Sequence, residues 1–280
     1  MSRLFCFGLG YSAGFLARAL AAEGWSVSGT TRDPAAAKEV PGADLHLFTR
    51  ERPLPDPAAA LAGTTHLLLS VPPDAAGDPV LDCHGAVLAR LPELRWAGYL
   101  STTGVYGDHG GAWVDEDTPP APAGERGARR LAAERGWLAL GLPLHVFRLA
   151  GIYGPGRSPL DAVRQGRAQR IDRPGQVFSR IHVADLVAVL RASMARPRPG
   201  AIYNVCDDEP APPGDVVAFA CALLGLVPPA PVPFAEAALS PLARSFYADN
   251  KRVANRRIKQ ELGVRLLYPT YREGLAALNR

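Results

Sequence analysis

The sequence predicts an α/β fold, a doubly wound parallel sheet with a smaller C-terminal lobe, and three observations carry that expectation. Short apolar runs alternate with segments of helical period, as in consecutive β–α–β units. Proline-rich joints (Pro53-Leu54-Pro55, Pro72-Pro73 and 119–122) fall between the periodic segments, where loops belong. Beyond residue 155 the alternation decays, and proline and glycine become dense over 196–200, 209–214 and 227–233.

Taken in order, the apolar runs predict strands over 4–7, 26–30, 44–47, 66–71, 97–101 and 144–149, with helices over 12–23, 79–91, 124–140 and 184–194. No internal repeat is present. The 280 residues, 48% apolar and 21% charged, suffice for one large domain or a core with a smaller lobe. The net charge of +4 is mild and spread along the chain, so composition makes no demand for nucleic acid. Only three of the 31 basic side chains are lysines (Lys38, Lys251 and Lys259), a bias that weakens the meaning of any single arginine. Cys6, Cys83, Cys206 and Cys221 show neither CxxC spacing nor histidine partners, which suits reduced thiols in a cytoplasmic protein. No apolar run approaches the ~18 residues that span a membrane. Arg3, an apolar stretch and Ala19-Leu20-Ala21 imitate a secretory leader, but Arg18 interrupts the run.

The same N-terminal residues hold a better explanation. The strand over 4–7 runs directly into Gly8-Leu9-Gly10-Tyr11-Ser12-Ala13-Gly14 and then into an amphipathic helix. In such a strand–loop–helix unit the first glycine permits the turn and the second lets backbone approach a pyrophosphate. The last lets the helix lie close to the strand. This predicts a dinucleotide site formed by Gly8, Gly10, Tyr11, Ser12 and Gly14, with Ser70 and Val71 ending the strand over 66–71. The second strand ends in Thr31-Arg32, with no carboxylate at Thr30 or Thr31 to grip a ribose 2′-hydroxyl. A guanidinium at Arg32 matches a 2′-phosphate and favours NADP, while Asp33 leaves NAD open.

Further motifs resemble the extended short-chain dehydrogenase family of epimerase/dehydratase type. Ser101-Thr102-Thr103-Gly104-Val105-Tyr106-Gly107, followed by Trp113-Val114-Asp115-Glu116-Asp117-Thr118-Pro119, is similar to its fifth-strand motif. Arg148-Leu149-Ala150-Gly151-Ile152-Tyr153-Gly154-Pro155-Gly156 is similar to its sixth. Arg180-Ile181-His182-Val183-Ala184-Asp185-Leu186 and the tail from Glu261-Leu262-Gly263 resemble its later segments. The resemblance implies a Rossmann domain over 1–155 with a return segment 179–205, and a smaller substrate-covering lobe from 156–178 and 206–280. It also implies an oxidoreductase, epimerase or dehydratase acting on a small molecule.

Catalysis is where the resemblance breaks. The family carries Tyr-x-x-x-Lys on the helix after strand five, and aligning Leu131-Ala132-Ala133-Glu134 places Arg126 and Arg130 at those positions. A guanidinium stays protonated near neutral pH, so Arg126 cannot act as a general acid or base. Arg130 keeps the positive charge and can hold the cofactor ribose. Thr102 matches the Ser/Thr that hydrogen-bonds the substrate oxygen. Thr102, Arg126 and Arg130 are therefore the expected active-site residues.

As replacement acids, Tyr106 and Tyr153 read better as packing tyrosines and His182 as a structural histidine, with His109 also nearby. Asp115-Glu116-Asp117 reads as a solvated loop, and no metal is expected. The basic residues of 251–259 read as the outer face of a helix without interleaved aromatics, so neither nucleic acid nor membrane is an expected partner. Arg180 and Arg157 hint at an anionic substrate. A monomer or homodimer is expected. The competing reading is a non-catalytic NADP(H)-binding redox sensor or regulator; a DNA-binding regulator would rest on the basic tail alone.

Overall fold

The computed structural model describes residues 2–33, 40 and 42–280. Its first half follows the apolar runs closely. Strand β1 (Arg3–Phe7) leads into helix α1 (Tyr11–Ala21), then β2 (Ser26–Thr31), β3 (Asp44–Leu47), the short α2 (Pro57–Ala60), β4 (His66–Leu69), α3 (Pro79–Leu88) and β5 (Trp96–Thr102). All four residues of β4 are buried, as in a central strand covered on both faces. The expected strand over 66–71 stops at Leu69, so Ser70 and Val71 lie in the loop ahead of Pro72-Pro73.

A 3₁₀ turn at Thr103–Tyr106 and the short β6 (Trp113–Val114) precede α4 (Glu125–Ala139) and β7 (Leu144–Leu149). The remainder comprises β8 (Gly151–Tyr153), α5 (Pro159–Arg164), β9 (Arg170–Asp172), β10 (Arg180–His182), α6 (Val183–Ala195), β11 (Ile202–Val205), α7 (Pro213–Leu223), β12 (Pro231–Pro233), α8 (Pro241–Phe246), β13 (Arg252–Val253), α9 (Arg256–Leu262) and α10 (Tyr271–Leu278). Several of these strands have only two or three residues, too short to show a period in sequence.

Seven strands form one sheet in the order β11-β7-β5-β4-β1-β2-β3, and β1 runs parallel to both β2 and β4. Side-chain alternation along β5 shows the two covered faces. Ala97 and Tyr99 join a core with Phe5, Phe7, Val80, Trp137 and Val146. Trp96, facing the other way, donates from Nε1 to Ser193 Oγ of α6 at 3.0 Å. Asp78 links two helices on the first face: it caps α3 by accepting from the amides of Val80 and Leu81, and it accepts from Trp137 Nε1 of α4 at 2.9 Å.

The chain forms two compact units, the first from 1–102, 125–148 and 187–203, the second from 103–124, 149–186 and 204–280. Residues 103–124 and 149–155, and 179–186 and 204–205 of the return segment, all assigned from sequence to the Rossmann domain, group with the second unit. The Tyr106 hydroxyl donates to Asn204 Oδ1 at 2.8 Å, Lys251 Nζ donates to the Gly107 carbonyl at 2.7 Å, and β8 pairs with β10. The second unit is held by small parallel pairs, β10 with β8, β12 with β9 and β13 with β6. One of its cores gathers Tyr153, Leu160, Val216, Ala220, Tyr271 and Leu275.

Candidate functional site

The strand order reverses between β1 and β4, and loops leaving such a reversal form the ligand crevice of an open α/β sheet. Gly8 leaves β1 with φ +86°, a conformation that side chains resist. A Cβ there would lie 3.0 Å from Val71 Cγ2 and 3.1 Å from the Val71 nitrogen, so the two loops meet only because residue 8 is glycine. The Gly8 amide donates to Thr30 Oγ1 at 2.9 Å and the Leu9 amide to the Thr30 carbonyl at 2.7 Å, fixing the loop to β2.

Gly10 has a different reason to be glycine. It is the N-cap of α1 with φ −90°, no side chain caps the helix, and a Cβ on it would meet nothing within 4 Å. Neither backbone conformation nor protein packing demands glycine there. Its absent side chain leaves open space in front of a helix N-terminus, which fits an anionic group such as a pyrophosphate. Beside it, Tyr11 packs edge-on against Phe15 with ring centroids 5.1 Å apart, and Ser12 is buried in α1.

The expectation for Gly14 needs correction. Its Cβ would lie 3.5 Å from Arg18 Nη1 and 3.8 Å from Val40 Cγ2, which is ordinary contact, so close helix–strand packing does not depend on it. The tight approach falls at Gly29 of β2, whose Cβ would sit 2.7 Å from the Cys6 carbonyl oxygen.

At the end of β2, Thr31 Oγ1 accepts from the Asp33 amide at 3.1 Å and donates to the Asp33 carbonyl at 2.9 Å. Arg32 is exposed, and no carboxylate among the described residues pairs with it. Nearby, Arg50 joins the loops after β3 and β4. Its Nε donates to Asp74 at 2.8 Å and its Nη1 to Asp82 at 2.7 Å, and the guanidinium holds the Asp74 carboxyl below the usual carboxylate range. Sequence reading missed this clamp.

The other end of interest is formed by β5 and α4. Thr102 ends β5, half-buried. Arg130 Nη1 donates to the Leu100 carbonyl at 2.9 Å and to the Tyr99 hydroxyl at 3.3 Å, so it is turned toward the strand. Arg126 lies one helical turn earlier and is exposed. Beneath them is a polar network that sequence reading also missed. Ser101 Oγ donates to Glu134 Oε1 at 2.5 Å, and Arg148 reaches the same carboxylate through Nε at 3.2 Å and Nη2 at 2.8 Å. The Glu134 and Arg148 side chains are 2% and 3% exposed. The signal was an arginine inside the apolar run of β7, which requires a buried counter-charge.

The replacement acids all lie in the second unit, and each makes a hydrogen bond, with the second ring nitrogen of His182, Nε2, buried without a partner among the described residues. Tyr106 is fully buried on Asn204. The Tyr153 hydroxyl donates to the Thr270 carbonyl at 3.5 Å, and burial followed by the neighbouring Asp207 raises its pKa far above the usual phenol range. His182 accepts the Ala184 amide on Nδ1 at 3.2 Å and sits against Tyr153 and Tyr268, and burial lowers its pKa to about 4. His109 contacts the Tyr106 carbonyl through Nε2 at 3.1 Å.

Other expectations shift. Arg180 does not present a free charge: its Nη1 donates to the carbonyls of Phe178 and Ala211 at 2.7 and 3.2 Å. Arg157 is exposed. The acidic loop is not uniformly solvated, because Glu116 accepts the Asn204 amide at 2.8 Å and Asp117 pairs with Arg257 at 2.7 Å. Nor is the basic run an outer face throughout, since Lys251 is buried on Gly107 and Lys259 pairs with Asp208 at 2.5 Å. Among the described residues no cluster of three His, Cys, Asp or Glu side chains has metal-holding geometry, and no helix is long and apolar enough to cross a membrane.

No family model matches the chain. It is 32% identical over 246 residues to protein YeeZ of Escherichia coli K12, covering 82% of this chain and 86% of that protein. A conserved protein of unknown function from Silicibacter pomeroyi is 56% identical, with a TM-score of 0.91 over 100% of this chain and 98% of that one. A candidate NAD-dependent epimerase/dehydratase from Methylobacillus flagellatus is 27% identical, with a TM-score of 0.73 over 99% and 97% of the respective chains.

Proposed function

The chain belongs to the extended short-chain dehydrogenase family, and from that membership we propose that it binds NADP(H) and acts on a small polar substrate without a phenolic acid. The observation that carries the reading is Gly10, a glycine without an internal structural reason, facing open space at the N-terminus of α1. Gly8, Gly10, Tyr11, Ser12 and Gly14 would hold the pyrophosphate side, and Ser70 and Val71 the opposite wall. Arg32, beside Thr31 and paired with no carboxylate among the described residues, would meet the 2′-phosphate. Free cysteines and the lack of a membrane-spanning helix among the described residues fit a cytoplasmic setting.

When bound, the cofactor supplies hydride chemistry for an oxidoreductase, epimerase or dehydratase reaction. The chain's own residues have separate tasks. The Thr102 hydroxyl donates a hydrogen bond to the substrate oxygen. Arg126 and Arg130 stabilise negative charge on that oxygen as fixed cations, while water or the substrate itself provides the proton.

One observation favours a second reading, a non-catalytic NADP(H) sensor: Tyr106 and Tyr153 are buried and hydrogen-bonded, and burial holds His182 neutral with a pKa lowered to about 4. The cofactor assignment common to both is tested by fluorescence titration with NADPH and NADH. NADPH should bind more tightly, and Arg32→Ala should remove about 1.5–3 kcal/mol of that preference. Equal affinities in the wild type would overturn the role of Arg32.

A further inference from the structure

Arg50, in the loop after β3, ties three segments together. Its Nε and Nη2 donate to the two oxygens of Asp74, at 2.8 and 3.0 Å, as a two-bond fork. Its Nη1 donates to Asp82 Oδ2, in the first turn of α3, at 2.7 Å. Asp74 in turn anchors a tight turn. Its Oδ1 accepts from the amides of Ala76 and Gly77 at 2.8 and 3.2 Å, and its own amide donates to the Gly77 carbonyl at 2.8 Å. Gly77 has φ +137°, and a Cβ on it would lie 3.1 Å from Asp82 Oδ2, so the turn closes against the same carboxylate.

The segment just ahead of this turn is one wall of the glycine loop. The Ser70 amide donates to the Phe7 carbonyl at 2.9 Å, which continues the pairing of β4 with β1. Val71 then lies so close to Gly8 that a Cβ there would be 3.0 Å from its Cγ2. Pro72 and Pro73 have no amide with which to tie the chain back to the sheet. The next anchor along the chain is Asp74, and Arg50 holds it. Ion pairs whose side chains are 25% to 44% exposed add little to global stability. What a two-bond fork fixes is orientation, because the planar guanidinium and the carboxylate meet in one plane.

We propose that Arg50 is a positioning residue for the dinucleotide site: acting through Asp74, it holds the wall formed by Ser70 and Val71 in place before the ligand arrives. The inference rests on the proposed function in one respect, that a dinucleotide lies along the glycine loop. A wall already in place spares the ligand the cost of ordering it, so losing the fork lowers affinity whatever the ligand's charge. NADPH and NADH are then affected alike, whereas the Arg32 variant changes their ratio.

Fluorescence titration of the whole protein with NADPH and NADH, thermal melts and hydrogen exchange together test this role. Arg50→Met should bind both dinucleotides about tenfold more weakly, with their affinity ratio unchanged. Its melting temperature should stay close to that of the wild type, while amide exchange over 74–77 speeds up. Arg50→Lys keeps the charge but cannot form the fork, so it should not restore affinity. Asp74→Asn breaks the fork and keeps an acceptor for the turn amides. Adding it to Arg50→Met should weaken binding no further, because the two residues act as a unit. Wild-type affinity in Arg50→Met or Arg50→Lys, unchanged exchange over 74–77, or additive losses in the double variant would overturn the proposal. So would a loss confined to NADPH, which would make Arg50 a contact of the 2′-phosphate instead. A wild type that binds neither dinucleotide would remove the cofactor reading itself, and this role with it.

Discussion

Three glycines that look alike in sequence have different physical duties. Gly10→Val should abolish dinucleotide binding with little change in melting temperature, because its side chain would point into space the protein itself does not use. Gly14→Ala should be neutral or stabilise α1 by up to about 1 kcal/mol, since its Cβ finds only ordinary contacts. Gly29→Ala should destabilise, because its Cβ would press on the Cys6 carbonyl. Thermal melts and NADPH titrations of the three variants separate these duties, and a Gly10 variant with normal NADPH affinity would reduce that loop to a turn. Asp207 gives a pH signature. Burial pushes its carboxyl up to about 8 despite the opposing pull of Arg180, and its Oδ2 has no hydrogen-bond partner among the described residues. An unfolded Asp ionises near about 3.9. Between those values the folded state keeps a proton that the unfolded state has lost, so this residue's contribution to stability falls as pH rises from about 4 to 8. Asp207→Asn stays neutral throughout, so its melting temperature relative to wild type should climb over that window. A pH-independent difference would refute the assignment.

At the scale of elements, α4 is the decisive piece. Its inner face carries Ala133, Glu134 and Trp137 into the core, and it reaches β7 through Arg148, β5 through Ser101 and the start of α3 through Asp78. Those attachments set the angle at which Arg126 and Arg130 are presented. Breaking a buried ion pair leaves an uncompensated charge, so Arg148→Met should cost about 3–5 kcal/mol in denaturant unfolding. Adding Glu134→Gln should recover part of that loss, because the stranded carboxylate is then neutral. A double variant as unstable as the single one would show that packing, rather than charge, dominates at this position.

For the whole molecule the open issue is whether a dinucleotide-binding fold without its usual acid still performs chemistry. Thr102→Val removes the hydroxyl and keeps the shape. Turnover on a carbonyl and sugar-nucleotide panel should then drop about 10²-fold or more while NADPH affinity holds. The double change Arg126→Tyr with Arg130→Lys supplies a titratable phenol and an ammonium, and should raise turnover or create it. Turnover that is indifferent to Thr102 would show that the reacting oxygen lies elsewhere. Tight NADPH binding without turnover in the wild type would establish the sensor.

The sequence by itself determined the glycine loop and the order of strands and helices through β5, except the one-turn α2 (Pro57–Ala60), which is too short to show a period. It also determined the absence of a tyrosine at position 126 and an arginine, rather than a carboxylate, after β2. These are local properties, set by period, glycine spacing and residue identity within a few positions. Other features were decided only by the tertiary structure. Gly29, rather than Gly14, permits the close approach to β1, because that depends on which strand lies alongside. Tyr106, Tyr153 and His182 are bonded to Asn204, Thr270 and Ala184, two of them about a hundred positions away in the chain. Arg180, in a promising motif, is bound to the Phe178 and Ala211 carbonyls, and Arg130 is turned onto the Leu100 carbonyl and the Tyr99 hydroxyl. Burial and pairing depend on residues that folding alone brings together, and they decide whether a charge is structural or available to a ligand.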